Sequence, residues 1–382
     1  MQSESRLTFF EATSIIIGHG VGSGILAVPY LASRTAWTDI IWVIIVVYAI
    51  NLLMHFMIAE LSLSNGGQQF IKCFESELFT GKLKMLFTWI AFALLGLSVL
   101  MNVSGFIAGS AAVFTSWLDI PERAAMLLYY VLAGSVVFFG MKAVGICEKI
   151  SVAAMTAVIG ILFVATLLSP MNPLPTHSIA QADILALYGM IAFSLSAVMS
   201  VPQVVKGLDG DPRKIRLSIL AGTAINTSLL VLVTFMTLLG AGSSITQRGA
   251  LVDLSAHLGG WVAVIGYVFS LLALSTSLWA NTLNLRDIVH EQTSLGLKTS
   301  WLTASLPSFV LALLGIQSFV GFIRLAGIIQ VLTGIAIIIA YSRSRKHAKG
   351  SPICGKFGTL PFQIMVVAGS LLASIGSVIK IQ

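Results

Sequence analysis

Charge is what this sequence has least of. Only 10% of its 382 residues are Asp, Glu, Lys or Arg, against about 25% in soluble chains. With 57% hydrophobic residues, it has too little polar surface to face water on all sides. That excludes an ordinary soluble domain and makes lipid the expected solvent. Cysteine is scarce too. Cys73, Cys147 and Cys354 show no metal spacing, and they fall near helix ends or loops expected in the cytoplasm, where disulfides do not persist. Catalytic signatures are missing: there is no G-x-S-x-G, H-E-x-x-H or Walker loop. The one G-x-G run follows no strand, so it is not a dinucleotide fingerprint. Enzyme chemistry is therefore not expected. The net charge of +7 sits in short loops without aromatic interleaving, which argues against a nucleic-acid partner.

What is present is a series of apolar runs. A hydrocarbon core of ~30 Å needs about 20 apolar residues per helix. Eleven spans are expected, at about 8–31, 38–62, 85–117, 123–141, 149–169, 184–206, 215–240, 260–286, 301–316, 320–341 and 359–380. The first is longer than a signal-peptide core and lacks an A-x-A site, so it reads as a retained helix. With the N-terminus inside, only Arg34, Arg123, Arg248 and Lys380 fall on the outer side and Arg324 inside a span; the other 17 of the 22 basic residues are cytoplasmic. This asymmetry predicts a multi-pass protein of the cytoplasmic (inner) membrane with its N-terminus inside and its C-terminus outside. The third run has no charge from Met85 to Leu118 and should tilt strongly, since a helix of that length spans about 51 Å.

Glycines interrupt the first run. In "SIIIGHGVGSGILAVPY" (Ser14–Tyr30) stand Gly18, Gly20, Gly22 and Gly24, with His19 among them. Each glycine disfavours helix by ~1 kcal/mol relative to Ala, so an unwound segment is expected. The lower half-helix should end near Gly18 and the upper begin near Gly22. The free carbonyls of one end suit a cation or ammonium, and the free N–H groups of the other suit a carboxylate. An amino-acid zwitterion needs both. The alternative is close helix packing through small residues. A second polar interruption, "FSLSAVMSVP" (Phe193–Pro202), lies about 175 residues after the first. The centres of the third and eighth spans are separated equally, as inverted repeats require. The expected halves are 8–169 and 184–341, with 359–380 as an extra eleventh helix.

The motifs resemble a known family. "GHGVGSGILAVPY" is similar to the first helix of the amino acid/auxin permease family of the amino acid–polyamine–organocation superfamily, particularly its bacterial hydroxy and aromatic amino acid permeases. "FMIAELSLSNGG" (Phe56–Gly67) resembles their second helix and "STSLWANTLNLRD" (Ser275–Asp287) their eighth. The resemblance implies an all-α integral membrane protein of about 11 helices with the five-plus-five inverted-repeat, leucine-transporter-like fold, its first and sixth helices broken. The sequence departs from the family at His19, where a threonine is usual, and at Trp279, Asn281 and Asn284.

The resemblance also implies sites. Substrate would meet His19, Gly20, Val21, Gly22, Ser23 and Gly24 from the first break, with Phe193, Ser194 and Ser196 from the second. From the third helix, Asn102 and Ser104 either face the same cavity or hydrogen-bond between helices. A Na⁺ site would draw on Gly18, Val21, Ala273, Thr276 and Ser277, five oxygens suited to a hard cation; the alternative is that the hydroxyls bond their own helix. An ionisable group inside a span is a functional candidate by default, so His19 is open to proton coupling, substrate binding or a structural role. Arg324 either snorkels outward or gates the outer vestibule. Glu60 is expected in a structural salt bridge with a loop lysine. The lysine that some proton-driven relatives place in mid-fifth helix is absent, Lys149 lying at the helix start. The expected function is cation-coupled import of a neutral, aromatic or hydroxy amino acid by alternating access. An ion channel or ion-only exchanger is the competing class. No cofactor is expected beyond Na⁺ or H⁺ as coupling ion; the partners are the small amino acid and membrane lipid.

Overall fold

In the computed structural model the first run stays helical past two of its four glycines. Helix α1 spans Phe9–Val21. Its start is fixed by a capping box: Thr8 Oγ1 accepts the Glu11 N–H while the Glu11 carboxylate accepts the Thr8 N–H. Regular helix stops at Gly22 (φ −25°, ψ −169°), continues as a 3-10 turn over Ser23–Leu26, and resumes as α2, Val28–Ala32. The two halves bend by 49°. The lower half therefore ends three residues later than the glycine spacing suggests. A propensity cost of ~1 kcal/mol per glycine is small beside the packing that buries Gly18 and Gly20.

The structure describes residues 6–246, 250–347 and 352–379. After α2 come α3 (Trp37–Ser64), the short α4 (Phe70–Glu77), α5 (Lys84–Leu118), α6 (Glu122–Phe138) and α7 (Met141–Leu167). The sixth run is broken into α8 (Gln181–Ser194) and α9 (Val201–Gly207), joined through a 3-10 turn at Val198–Ser200. Then follow α10 (Pro212–Ala241), α11 (Ala250–Leu258), α12 (Trp261–Thr293), α13 (Leu297–Leu313), α14 (Phe319–His347) and α15 (Leu360–Val378). No strand occurs among the described residues. Among those residues, eight helical units are long and apolar enough to cross a membrane, nine with the bent α1–α2 pair. The helices at the expected fourth and ninth positions, α6 and α13, have 17 residues each, or about 26 Å.

Two helices overrun their expected ends. The fifth, α7, begins at Met141 rather than near 149, which carries Glu148 into the bundle. The eighth, α12, continues to Thr293 rather than 286, because Arg286 and Asp287 are buried as a pair, Nη2 to Oδ1 2.7 Å. At one end of the bundle Lys142 meets Glu11 at 2.6 Å, Arg6 meets Asp209 at 2.8 Å, and the Leu7 N–H bonds the Gly207 carbonyl. The other end joins Arg34 to Asp183 at 3.3 Å and the Trp37 N–H to the Pro175 carbonyl. Glu60 accepts from Tyr341, Arg345 and the N–H groups of Ile353 and Cys354. Its structural partner is thus an arginine of α14, not a loop lysine. Large apolar side chains such as Trp42, Leu132, Val131 and Ile364 stay outward and exposed, as a lipid-facing belt requires.

Candidate substrate and cation site

The two breaks lie against each other. A Cβ on Gly24 would meet the Ser194 hydroxyl and the Phe193 ring, and one on Gly20 would overlap the Asn226 amide with the Ser194 carbonyl at 3.2 Å. Lacking side chains there, α1 and the following turn close onto the end of α8. Two buried polar residues hold the second break open. Asn226 Nδ2 donates to the Ser194 carbonyl at 3.1 Å, and His55 Nε2 accepts the Ala197 N–H at 2.9 Å, with Thr223 Oγ1 3.4 Å from its Nδ1. Each satisfies a backbone group that the interrupted helix would leave bare.

Beside the breaks lies a cavity of about 1050 Å³, at the upper end of the ~300–1,000 Å³ usual for small-molecule sites. His19, Gly20, Gly22, Gly24, Asn102, Phe193, Ser196 and Ser277 line it, with Asn281, Tyr30 and Phe106 added by the structure. Gly18, Val21, Ser194, Ala273 and Thr276 stand outside its wall. The Ser194 hydroxyl is spent on the Met190 carbonyl. Ser104 bonds Leu100 and, across helices, the Ser308 carbonyl, so it serves packing rather than the cavity. The side chains of Ser23 and Arg324 lie outside the described residues.

His19 ends α1 between two elements. Its Nδ1 is 2.8 Å from Ser200 Oγ and its Nε2 is 3.4 Å from Asn281 Nδ2. That amide nitrogen also donates to the Ser277 carbonyl at 2.9 Å, an acceptor only, which sets the amide's orientation. Nε2 is then the acceptor and Nδ1 carries the proton to Ser200. The Asn281 carbonyl oxygen is buried with no protein partner among the described residues.

Behind the cavity, Thr276 Oγ1 shares its proton between the Gly18 carbonyl (2.8 Å) and the Ala273 carbonyl (3.0 Å). Ser277 Oγ packs on Gly22, and Val21 is fully buried. Thr276 thus joins two of the other candidate ion ligands, Gly18 and Ala273. Hydropathy and motif spacing do not point to Glu148, Asn226, Ser200 or the role of His55. A polar residue in mid-span is the available signal for Asn226 and His55; Glu148 is hidden because the expected span starts at 149, eight residues after α7 begins at Met141.

Residues 5–375 match the model of the tryptophan/tyrosine permease family. The chain belongs to this family. The tyrosine-specific transport system 1 of Haemophilus influenzae is 24% identical over 404 residues, which cover 97% of this chain and 96% of that protein. Among solved structures, MhsT in complex with L-phenylalanine superimposes with a TM-score of 0.71 at 13% identity, covering 98% and 99% of the two chains. Mhp1, a nucleobase–cation symport-1 family transporter in a closed conformation with bromovinylhydantoin bound, gives 0.62 at 13% identity, covering 98% and 91%. The fold is thus the leucine-transporter-like one, with the first and sixth helices broken. The permease is a secondary amino-acid transporter of the membrane, not an enzyme.

Proposed function

We propose that this permease imports an aromatic amino acid of tyrosine or tryptophan size, driven by inward flow of a monovalent cation, H⁺ or Na⁺. The observation that carries this reading is the cavity where the two broken helices meet. It combines an apolar, aromatic wall with polar groups from His19, Asn102, Asn281 and Ser196. Such a site suits a ring held by packing and a zwitterion held by helix ends. The turn beginning at Ser23 offers N–H groups to a carboxylate, and the last carbonyls of α1 face an ammonium group. The ligands of similar proteins support the choice: tyrosine for the transport system, phenylalanine in the MhsT complex.

Substrate contacts are assigned to His19, Gly20, Gly22, Gly24, Asn102, Phe193 and Ser196, joined by Asn281. The coupling cation is assigned to the contact among Gly18, Val21, Ala273, Thr276 and Ser277. Residues 8–169 and 184–341 form the inverted halves and 359–380 an added helix, giving eleven spans in the cytoplasmic membrane with the N-terminus inside. Alternating access then moves α1–α2 and α8–α9 against α5 and α12.

The test is thermal unfolding of purified protein against the twenty amino acids, in Na⁺ or K⁺, at two pH values. Stabilisation follows RT ln(1 + [L]/Kd), about 2.7 kcal/mol at 100 times Kd. Tyrosine or tryptophan should raise the midpoint and lysine and glutamate should not. A protein stabilised by no aromatic amino acid overturns the assignment.

A further inference from the structure

Two asparagines on the cavity wall carry hydrogen-bonding capacity that the protein itself does not use. Asn281 of α12 is 2% exposed and Asn102 of α5 is 4% exposed, and both line the cavity. The Asn281 amide cannot turn over. Its Nδ2 donates at 2.9 Å to the Ser277 carbonyl, which can only accept, and lies 3.4 Å from His19 Nε2. The His19 ring is held in turn by Ser200 Oγ at 2.8 Å. What is left is Oδ1, an acceptor with no partner among the described residues. The Asn102 side chain makes no hydrogen bond among those residues, so its amide has both a donor and an acceptor to offer a ligand.

The wall around these amides is uncharged. Among the described residues that line the cavity there is no Asp, Glu, Lys or Arg. A charged substrate side chain would be buried there without a counter-ion, which costs far more than burying a neutral polar group. Tyr30, Phe106, Tyr188 and Phe193 supply aromatic surface. The asparagines belong to α5 and α12, which pack on each other. Asn102 stands one turn before Phe106, and Asn281 one turn after Ser277. They thus come from different helices than the backbone groups assigned to the zwitterion. Nor does the surrounding chemistry suit a metal cation. The two contacts of the Asn281 amide are a ring nitrogen and a carbonyl already occupied by its N–H, not the set of oxygens that a hard cation collects.

We propose that Asn281 and Asn102 read the polar group on the substrate's ring, so that this permease selects tyrosine and tryptophan over phenylalanine. The inference rests on the aromatic-substrate reading above and narrows it. A phenol O–H and an indole N–H each donate, and Asn281 Oδ1 is a fixed acceptor. The phenol oxygen can also accept from Asn102 Nδ2, which an indole N–H cannot. Phenylalanine offers neither group and leaves the Asn281 oxygen buried and unpaired. A site built around such a bond rejects the analogue lacking it far more strongly than an apolar pocket rejects a small change in size. The expected order is therefore tyrosine, then tryptophan, then phenylalanine. The Ser277 carbonyl and the His19 ring contribute by holding the Asn281 amide in one orientation.

The test measures dissociation constants of purified wild type, Asn281→Leu and Asn102→Leu by ligand-dependent thermal shift, in Na⁺ and in K⁺. The ligands are L-tyrosine, L-tryptophan, L-phenylalanine, O-methyl-L-tyrosine and 1-methyl-L-tryptophan; the last two lack the ring donor. Wild type should bind tyrosine and tryptophan at least about tenfold more tightly than phenylalanine, and each methylated ligand should lose that advantage. In Asn281→Leu the tyrosine-to-phenylalanine ratio should fall to within about threefold, chiefly because tyrosine weakens. Asn102→Leu should weaken tyrosine more than tryptophan. The methylated ligands test the wild type by itself, so the result does not depend on either variant folding. Wild type that binds methylated and unmodified ligands equally overturns the inference. So does a folded Asn281→Leu protein that binds none of the ligands or weakens all of them by one factor, since the amide would then serve the zwitterion or the fold. An unchanged ratio with an altered response to Na⁺ also overturns it, in favour of a cation role. Equal wild-type binding of tyrosine and phenylalanine overturns this inference alone, whereas wild type that binds no aromatic amino acid overturns the substrate reading beneath it.

Discussion

Gly20 and Asn226 occupy one space, and a double-mutant cycle measures that directly. Gly20→Ala places a methyl where Asn226 Nδ2 now stands, so the amide must move and its 3.1 Å bond to the Ser194 carbonyl is lost. Overpacking of about 1–3 kcal/mol plus a lost bond of about 0.5–1.5 kcal/mol gives a destabilisation of about 2–4 kcal/mol. Asn226→Ala removes the same bond and leaves a buried carbonyl without a donor, at about 1–3 kcal/mol. Independent effects would sum to about 3–7 kcal/mol. In the double variant, however, the bond is lost once and the methyl added at position 20 enters space the asparagine has vacated, with the Ser194 carbonyl at 3.2 Å as its remaining close neighbour. The double variant should therefore be about as stable as Asn226→Ala alone, short of the sum by about 2–4 kcal/mol. Unfolding of the purified proteins in detergent, by heat and by denaturant, reads the cycle. Additivity within about 0.5 kcal/mol would refute the claim that these residues join the two helix breaks.

Three further outcomes are expected. Thr276→Ala with Ser277→Ala should reduce uptake and change its cation dependence, because the Thr276 hydroxyl bridges α12 to the Gly18 carbonyl; unaltered transport rejects the cation assignment. His55→Leu should lower stability by about 1–3 kcal/mol through the orphaned Ala197 N–H, and His55→Gln by less, as measured by thermal midpoints; equal stability of His55→Leu and wild type removes the capping role. Cys354 lies in the loop before α15, and burial, with the nearby Glu60 charge adding to it, pushes its thiol up to about 12. It stays protonated at pH 8, so maleimide should label it far more slowly than a free thiol, the rate rising only as pH approaches that value. Fast labelling at pH 8 in folded protein contradicts the buried placement beside Glu60.

The broken helices are legible in the amino-acid sequence. Four glycines within seven residues, and a Ser-rich run before Pro202, mark both interruptions. Where each half-helix stops is not legible there. Gly18 and Gly20 remain helical because partners on α7, α10 and α12 use their missing side chains. Span ends failed for a related reason. Ending a hydrophobic run at its first charge assumes that charges belong outside, yet Glu148, Arg286 and Asp287 are buried within helices. Arg286 and Asp287 neutralise each other, and Glu148 is buried against Gly18 where α1, α7 and α12 meet.

The membrane environment, the order of spans and the two breaks follow from composition and glycine placement, which are local and sum along the chain. The site does not. Thr276 meets Gly18 across 258 residues, and Asn281 meets His19 across 262. A side chain turns by about 100° with each helical residue, so hydropathy cannot say which polar residues converge. The rotation and packing of α1, α7, α10 and α12 decide that. They turn a scatter of single histidines, asparagines and one glutamate into a cavity with a carboxylate behind it.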